Sequence, residues 1–414
     1  MIEVRATAKQ VLGMPPARFL REYWQKKPLL IRGAFPRFAD PLAPNDLAGL
    51  ACDEHALARL VSHDPKRDRW TSRNGPFREG DFTRLPARNW TLLVQDVDKW
   101  DADVAALLDR FGFLPQWRID DVMVSYAVDG GSVGAHVDQY DVFLLQGLGR
   151  RRWRISTDAR APKDFREDAE IKLLRKFRPT HEWTLESGDM LYLPPGVPHH
   201  GVAAGECLTY SIGMRAPSMG ELLVDFAVAF AQAMPEEWRF GDPDLEPVRI
   251  GSHGEIDAVA FARVVRAMPW LRVVRFGDEK RQKRVGKTDG GSGEVDASML
   301  RTWFRRFITR YRSAHAAAPR LRPISDTAFE RALSHRGQAL RNPWSRAAWT
   351  RTRNGAILTV GGDDVPSSIG FARLVCGRAP IPLDRIRNAR DRDALRSLID
   401  LGHVTLRGRG GMRR

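Results

Sequence analysis

Cysteine is scarce in this chain of 414 residues: Cys52, Cys207 and Cys376 lie far apart, with no Cys-x-x-Cys spacing. That excludes a thiolate zinc knuckle and a disulfide framework, and it suits a reducing cytoplasm. Long apolar runs are lacking too. The longest, residues 222–234, is interrupted by Asp225 and Gln232 and falls short of the roughly 18 residues that a membrane span requires, so no membrane partner is expected. The N-terminus, MIEVRATAKQVLG, carries mixed charge and no long apolar segment, so no secretion signal is expected. Acidic residues are outnumbered, 51 against 66 Lys and Arg, for a formal charge of +15. The basic residues are scattered along the whole chain. The charge therefore reads first as a basic solvated surface, and second as direct affinity for RNA-rich particles.

What is present suffices for a core. Hydrophobic residues make up 43% of the chain, and its length predicts about two or three domains. The stretch PPARFLREYWQKKPLLIRG predicts a helix carrying Phe19, Leu20 and Tyr23, then a short buried strand from Pro28 to Ile31. Residues 102–112 predict another amphipathic helix. From Val122 to about Arg215 the β-rich runs DVMVSYAV, DVFLLQ, RRRWRI, HEWTL, DMLYLP and CLTYSIGM recur between Gly, Pro and Asp clusters, the pattern of a β-sandwich or small barrel. After Pro217 helical periodicity takes over. Leu222, Leu223, Phe226, Ala229, Phe230 and Ala233 form one stripe; Leu300, Trp303, Phe304, Phe307, Ile308 and Tyr311 form a second. Residues 279–294 between them are charged and Gly-rich and are expected to form a loop, with a basic cluster at 279–287 that could touch RNA. Near the C-terminus, Asn354-Gly355 predicts a hairpin turn. FARLVCGR and RDALRSLIDLGHVTL then predict two helices and a closing strand, a winged-helix-like module for DNA or protein contact. The expectation is thus an α+β chain: a catalytic domain over 1–215, a helical segment over 216–318 and a third domain over 319–414.

The chemistry concentrates in GGSVGAHVDQYDVFLLQGLGRRRWRI. Alternate residues of a strand share a face, so His136 and Asp138 enter the barrel together. In SGDMLYLPPGVPHHG, Gly188, Pro194 and Gly196 shape a turn, a strand and a tight bend that presents His199. His136, Asp138 and His199 make two imidazoles and one carboxylate without thiolate, a set suited to Fe(II) with open positions for a bidentate cosubstrate and O2. His200 is the competitor; as a strand neighbour it points the other way. A 2-oxoglutarate cosubstrate also requires a cation for its distal carboxylate. In RRRWRI, Trp153 and Ile155 are the inward members and Arg151 shares their parity, so Arg151 is the expected buried cation. Ser125, on the strand before His136, is expected to add a hydrogen bond to the same carboxylate.

At these residues the chain resembles a known family. REYWQKKPLLIRGAF, WRIDDVMVSYAVDGGSVGAHVDQYDVFLLQGLGRRRW and GDMLYLPPGVPHHG are similar to the bacterial JmjC-type, cupin-like ribosomal oxygenases that hydroxylate an arginine of large-subunit ribosomal protein sixteen. The similarity is strong over about residues 10–220 and continues in outline beyond. It implies a double-stranded β-helix, iron on the three ligands above and 2-oxoglutarate on Arg151. It also implies β-carbon hydroxylation of a ribosomal arginine, a homodimer built by the helices after Pro217, and a winged-helix module serving assembly or substrate contact. A basic protein repels a basic substrate at long range, so a local acidic mouth is expected, with Asp129 as its candidate guanidinium partner. Other readings stay open. A histidyl hydroxylase or a demethylase would share the ligands. A metal-dependent cupin enzyme without a 2-oxo acid would share the Pro-Gly-His element, and a non-enzymatic ribosome-binding protein would need no complete triad.

Overall fold

The structure is a computed structural model that describes residues 2–7, 10–236, 297–310, 317–334 and 337–407. The basic segment 279–294 and Tyr311 lie outside the described residues. The chain divides into two compact units, residues 1–216 with 308–414, and residues 217–307.

The first unit is built around twelve strands in its N-terminal half: β1 (Glu3–Arg5), β2 (Leu29–Arg32), β3 (Ala58–Asp64), β4 (Arg69–Asn74), β5 (Trp90–Val94), β6 (Ile119–Ala127), β7 (Val142–Gln146), β8 (Arg151–Ile155), β9 (His181–Leu185), β10 (Met190–Leu193), β11 (His199–Ala203) and β12 (Cys207–Met214). Nine of them form one sheet in the order β1-β2-β10-β7-β12-β6-β5-β3-β4, and three form a second in the order β11-β8-β9. From β6 onward the chain passes back and forth between the two sheets. The result is a cupin-like double-stranded barrel in a mixed α+β protein.

The hydrophobic pattern explains both layers. In β2, β7 and β10 nearly every residue is buried, as happens when both faces of a sheet are covered. Leu30, Val142, Leu144, Leu191 and Leu193 point inward and pack against Trp153, Ile155 and Leu185 of the small sheet. Leu29, Ile31, Phe143, Leu145 and Tyr192, one residue out of phase, pack outward against Phe19, Tyr23 and Phe111. The helix Pro16–Glu22, with Pro16 at its first position, supplies that outer cover. Behind it, the buried Asp141 accepts bonds from Tyr192 Oη (2.6 Å) and Gln25 Nε2 (2.9 Å) and pairs with Arg118 (3.3 Å), joining the helical cover to the start of β7.

Two expectations change in detail. Residues 102–112 do not form one amphipathic helix: the α-helix stops at Ala106 and a tighter 3-10 turn, Leu107–Phe111, follows. The strand β11, expected only at His199 and His200, runs on to Ala203. Its sequence HHGVA has weak strand character of its own, and it is held extended by pairing with β8, from His199 opposite Ile155 to Ala203 opposite Arg151.

The rest of this unit is a C-terminal module with its own core, including Phe329, Leu358, Phe371, Leu395 and Leu398. The predicted hairpin is present as β14 (Ala347–Thr352) and β15 (Gly355–Val360), after β13 (Gln338–Arg341). The two predicted helices span Ile369–Cys376 and Ala389–Asp400. The module packs on the barrel through Arg378, which bonds the Ala105 carbonyl (3.0 Å) and Asp109 (3.1 Å), and through the Trp100–Trp344 ring contact. In the second unit the helix Met219–Gln232 starts at a Ser218/Glu221 capping box and has no buried residue. Phe226 packs on Trp303, whose Nε1 donates to Asp225 (2.8 Å). Leu223, Val224 and Val228 of that helix stay exposed. Among the described residues no helix is long and apolar enough to cross a membrane.

Candidate metal centre and cosubstrate cavity

The loop after β6 reaches His136 through Gly134, at φ +78°, where an added Cβ would come within 2.3 Å of Leu173. Only glycine fits that left-handed, crowded position. His136 then bridges to His199 through two backbone bonds (3.0 and 2.9 Å). The Pro-Gly bend before His199 is tied to the other ligand, since the Gly196 amide donates to the Asp138 carbonyl (2.7 Å). The sequence elements that carry the three candidate ligands are thus stitched together by main chain.

The side chains converge. One ligand atom from each of His136, Asp138 and His199 lies within 4.8 Å of the others. Asp138 Oδ2 is 3.9 Å from His136 Nε2 and 3.6 Å from His199 Nε2. His136 Nδ1 is 3.0 Å from the Gly134 carbonyl and His199 Nδ1 is 2.9 Å from the Val197 carbonyl. With Nδ1–H donating to those oxygens, each Nε2 lone pair is directed into the cluster, the tautomer a metal ligand requires. Burial, together with the adjacent His136, pushes His199 down to about 4, so it is neutral at pH 7. His200 points away; its Nδ1 accepts from Arg154 (3.0 Å).

The cluster opens onto a cavity of about 360 Å³. Arg151 lines it and is buried, 5% exposed, while its Nε and Nη2 have no hydrogen-bond partner. A buried guanidinium with open donors is costly unless an anion meets it. The alternation along β8, with Arg151, Trp153 and Ile155 buried and Arg152 exposed, puts it there. Ser125 is buried on the same cavity wall. The donors present therefore fit Fe(II) and a dicarboxylate cosubstrate: mixed N/O ligands without thiolate, and a cation inside an otherwise apolar wall of Val142, Leu144 and Trp153.

Asp129 is not in this cavity, contrary to expectation. It sits in the turn after β6, where its carboxylate accepts from the Gly205 amide (2.9 Å) and pairs with Arg88 (2.6 Å). Other carboxylates do line the cavity, Asp96, Asp120 and Asp121, together with Arg215 and Arg346. Asp121 shares its face of β6 with Met123 and Ser125, and lies opposite Gly213 of β12, whose missing side chain leaves room for the carboxylate. Burial, with Asp96 and Asp120 nearby, pushes Asp121 up to about 7. Tyr140, beside Asp138, lines the cavity as well, and burial together with that carboxylate raises its phenol. The parity argument that selected Arg151 would have found Asp121 by stepping four residues back from Ser125. The alternation that joined His136 to Asp138 reaches Tyr140 two residues further on.

Fold and site together define a JmjC-type, cupin-like barrel carrying a two-histidine, one-carboxylate cluster. Residues 106–222 match the family model described as JmjC domain. The chain is 43% identical over 229 residues to the Escherichia coli ribosomal protein uL16 3-hydroxylase, covering 55% of this chain and 60% of that one. It is 40% identical over 222 residues to a probable ribosomal oxygenase of Haemophilus influenzae, covering 53% and 54%. These sequence matches thus span less than two thirds of either relative. The solved structure of YcfD, a ribosomal oxygenase from Escherichia coli, in complex with cobalt and 2-oxoglutarate, is similar at a TM-score of 0.73 and 30% identity. That match covers 96% of this chain and 99% of the other. The chain belongs to the JmjC-type ribosomal oxygenases.

Proposed function

We propose that this chain is an Fe(II)- and 2-oxoglutarate-dependent protein hydroxylase that acts on the β-carbon of an arginine in a large-subunit ribosomal protein. The observation that carries the reading is the composition of one cavity: a His-Asp-His cluster, a buried guanidinium with open donors, and a desolvated carboxylate at the mouth. The family relatives support it, one being named for uL16 3-hydroxylation and another solved with cobalt and 2-oxoglutarate.

The residues divide the work. His136, Asp138 and His199 would hold iron on one face, leaving the others open. Bound with 2-oxoglutarate, the metal supplies dioxygen-driven hydroxylation of an unactivated C–H bond, coupled to decarboxylation to succinate. Arg151 pairs with the distal carboxylate of the cosubstrate, Ser125 adds a hydrogen bond, and Val142, Leu144 and Trp153 exclude water. Asp121 receives the substrate cation. A carboxylate at that point favours arginine, which is always charged, over histidine, which is largely neutral above about pH 6.5.

Purified protein given Fe(II), 2-oxoglutarate and intact large ribosomal subunits is expected to add one oxygen to an arginine peptide, read by mass, and His136→Ala is not. Succinate without a mass gain would keep the oxygenase and discard the ribosomal target. Neither product would return the chain to cupin chemistry without a 2-oxo acid.

The same reading includes a homodimer formed through the segment after Pro217. The exposed apolar residues Leu223, Val224 and Val228 on the helix Met219–Gln232 support it, since such a face is unusual on a monomer. Leu223→Asp with Val228→Asp is expected to halve the mass measured by light scattering; an unchanged mass would discard this interface. The C-terminal residues 319–414 fit a winged-helix-like module for contact with the barrel and its substrate rather than for DNA reading. A ribosomal target implies a cytoplasmic protein, and the charge of +15 is compatible with contact to ribosomal RNA.

A further inference from the structure

The outer end of the catalytic cavity is completed by a residue from outside the barrel. Arg346, just before β14 of the C-terminal module, is largely buried and bonds both the carboxylate and the backbone carbonyl (3.3 Å) of Asp120. A second cavity of about 470 Å³ lies along the seam between barrel and module. Asp120 and Arg346 line both spaces, so their ion pair is the shared wall.

Asp120 and Asp121 are neighbours on β6 at a register shift against β12, where Asp121 stands opposite Gly213, and both line the catalytic cavity. Asp121 lies on the inner face with Met123 and Ser125, whereas the Asp120 side chain is 40% exposed and borders the seam. An incoming guanidinium would reach the solvated Asp120 first. Bound there, its β-carbon would be held short of the His-Asp-His cluster. Two carboxylates so close would give a cation two registers, and one of them would be unproductive. Specificity of register commonly depends on closing the wrong option as well as on strengthening the right one.

We propose that Arg346 is a positioning residue: by occupying Asp120 it denies the outer carboxylate to the substrate cation and directs that cation to Asp121. The inference rests on the arginyl-hydroxylase reading above. It gives the C-terminal module a part in the reaction that needs no nucleic acid, because the module carries the group that completes the substrate end of the cavity.

The test uses the full-length protein and an arginine peptide from whichever ribosomal protein gains oxygen. In Arg346→Met, KM for the peptide is expected to stay level or fall, since a second acceptor becomes available. The ratio of hydroxylated peptide to succinate is expected to drop by about tenfold or more, since misplacement by about 1 Å can cost 100-fold. The double variant Arg346→Met/Asp120→Asn, in which the competing acceptor is gone, is expected to recover most of that ratio. If Arg346 merely fastened the module to the barrel, the double variant would be as uncoupled as the single one, because it too lacks the ion pair; that result would overturn the proposal. An unchanged ratio in Arg346→Met would overturn it as well. Should the unmodified protein form succinate yet hydroxylate no arginine, the functional reading itself fails and this role goes with it.

Discussion

Replacing His136 or His199 with alanine is expected to lower divalent-metal affinity and turnover by at least about 100-fold each, because loss of even an outer-shell partner of a ligand costs about 10- to 100-fold. The three ligand atoms form a cluster no wider than 4.8 Å, and each imidazole is already committed through Nδ1 to a backbone carbonyl. Either substitution therefore removes a preset Nε2 that no nearby group can replace. His200 adjoins His199, but it faces away and is held by Arg154. His200→Ala is accordingly expected to retain metal binding within a few-fold. Anaerobic titration with Co(II), followed by visible absorbance, reads the affinity, and succinate formation reads the chemistry. Tight Co(II) binding in His199→Ala would show that the ion is held elsewhere. The same titration also tests folding: metal that binds only the native state raises the unfolding midpoint, and the shift should vanish with the ligand.

Much of this centre was legible in the sequence because it is built from local rules. Strand parity alone placed His136 beside Asp138 and put Arg151 inside with Trp153 and Ile155. The Gly196 bend marked the strand entry that presents His199. Asp129 did not rest on those rules. It was chosen for its closeness in sequence to the triad, but a turn residue bonds its own surroundings first, here Gly205 and Arg88. Asp121 was within reach of the parity argument. Arg346 was not, since its position depends on how a separately cored module packs against residues 100–120, and no local pattern encodes that. Only the start of β11, at His199 and His200, was legible: its run to Ala203 comes from pairing with β8, not from its own residues.

Asp121→Asn is expected to lower kcat/KM for the arginine substrate by about 100-fold, equivalent to roughly 3 kcal/mol, the order expected when one partner of a desolvated charge pair is removed. KM should carry most of the loss, and succinate formed without substrate should be little changed, because Asp121 lies on the substrate side of the cavity. Its pH dependence gives an independent signature. Burial beside Asp96 and Asp120 raises Asp121 from the ordinary carboxylate range to about 7, while the substrate guanidinium remains charged throughout. The binding-competent anion therefore grows in as pH rises through that value, and kcat/KM of the unmodified protein should climb between about pH 6 and 8. The Asn variant should lack that rise. Stability should move the opposite way. A carboxylate whose folded-state value is raised binds its proton more tightly in the native state, so its contribution is full below pH 4 and is lost as pH climbs towards 7. Relieved of that buried charge, Asp121→Asn should be the more stable protein above pH 7 and gain nothing at pH 4, as read by denaturant midpoints at the two values. A variant that lost stability above pH 7 along with activity would mean that Asp121 holds the fold together. One that lost activity while gaining stability would mean that the mouth of this cavity keeps a strained charge for its substrate.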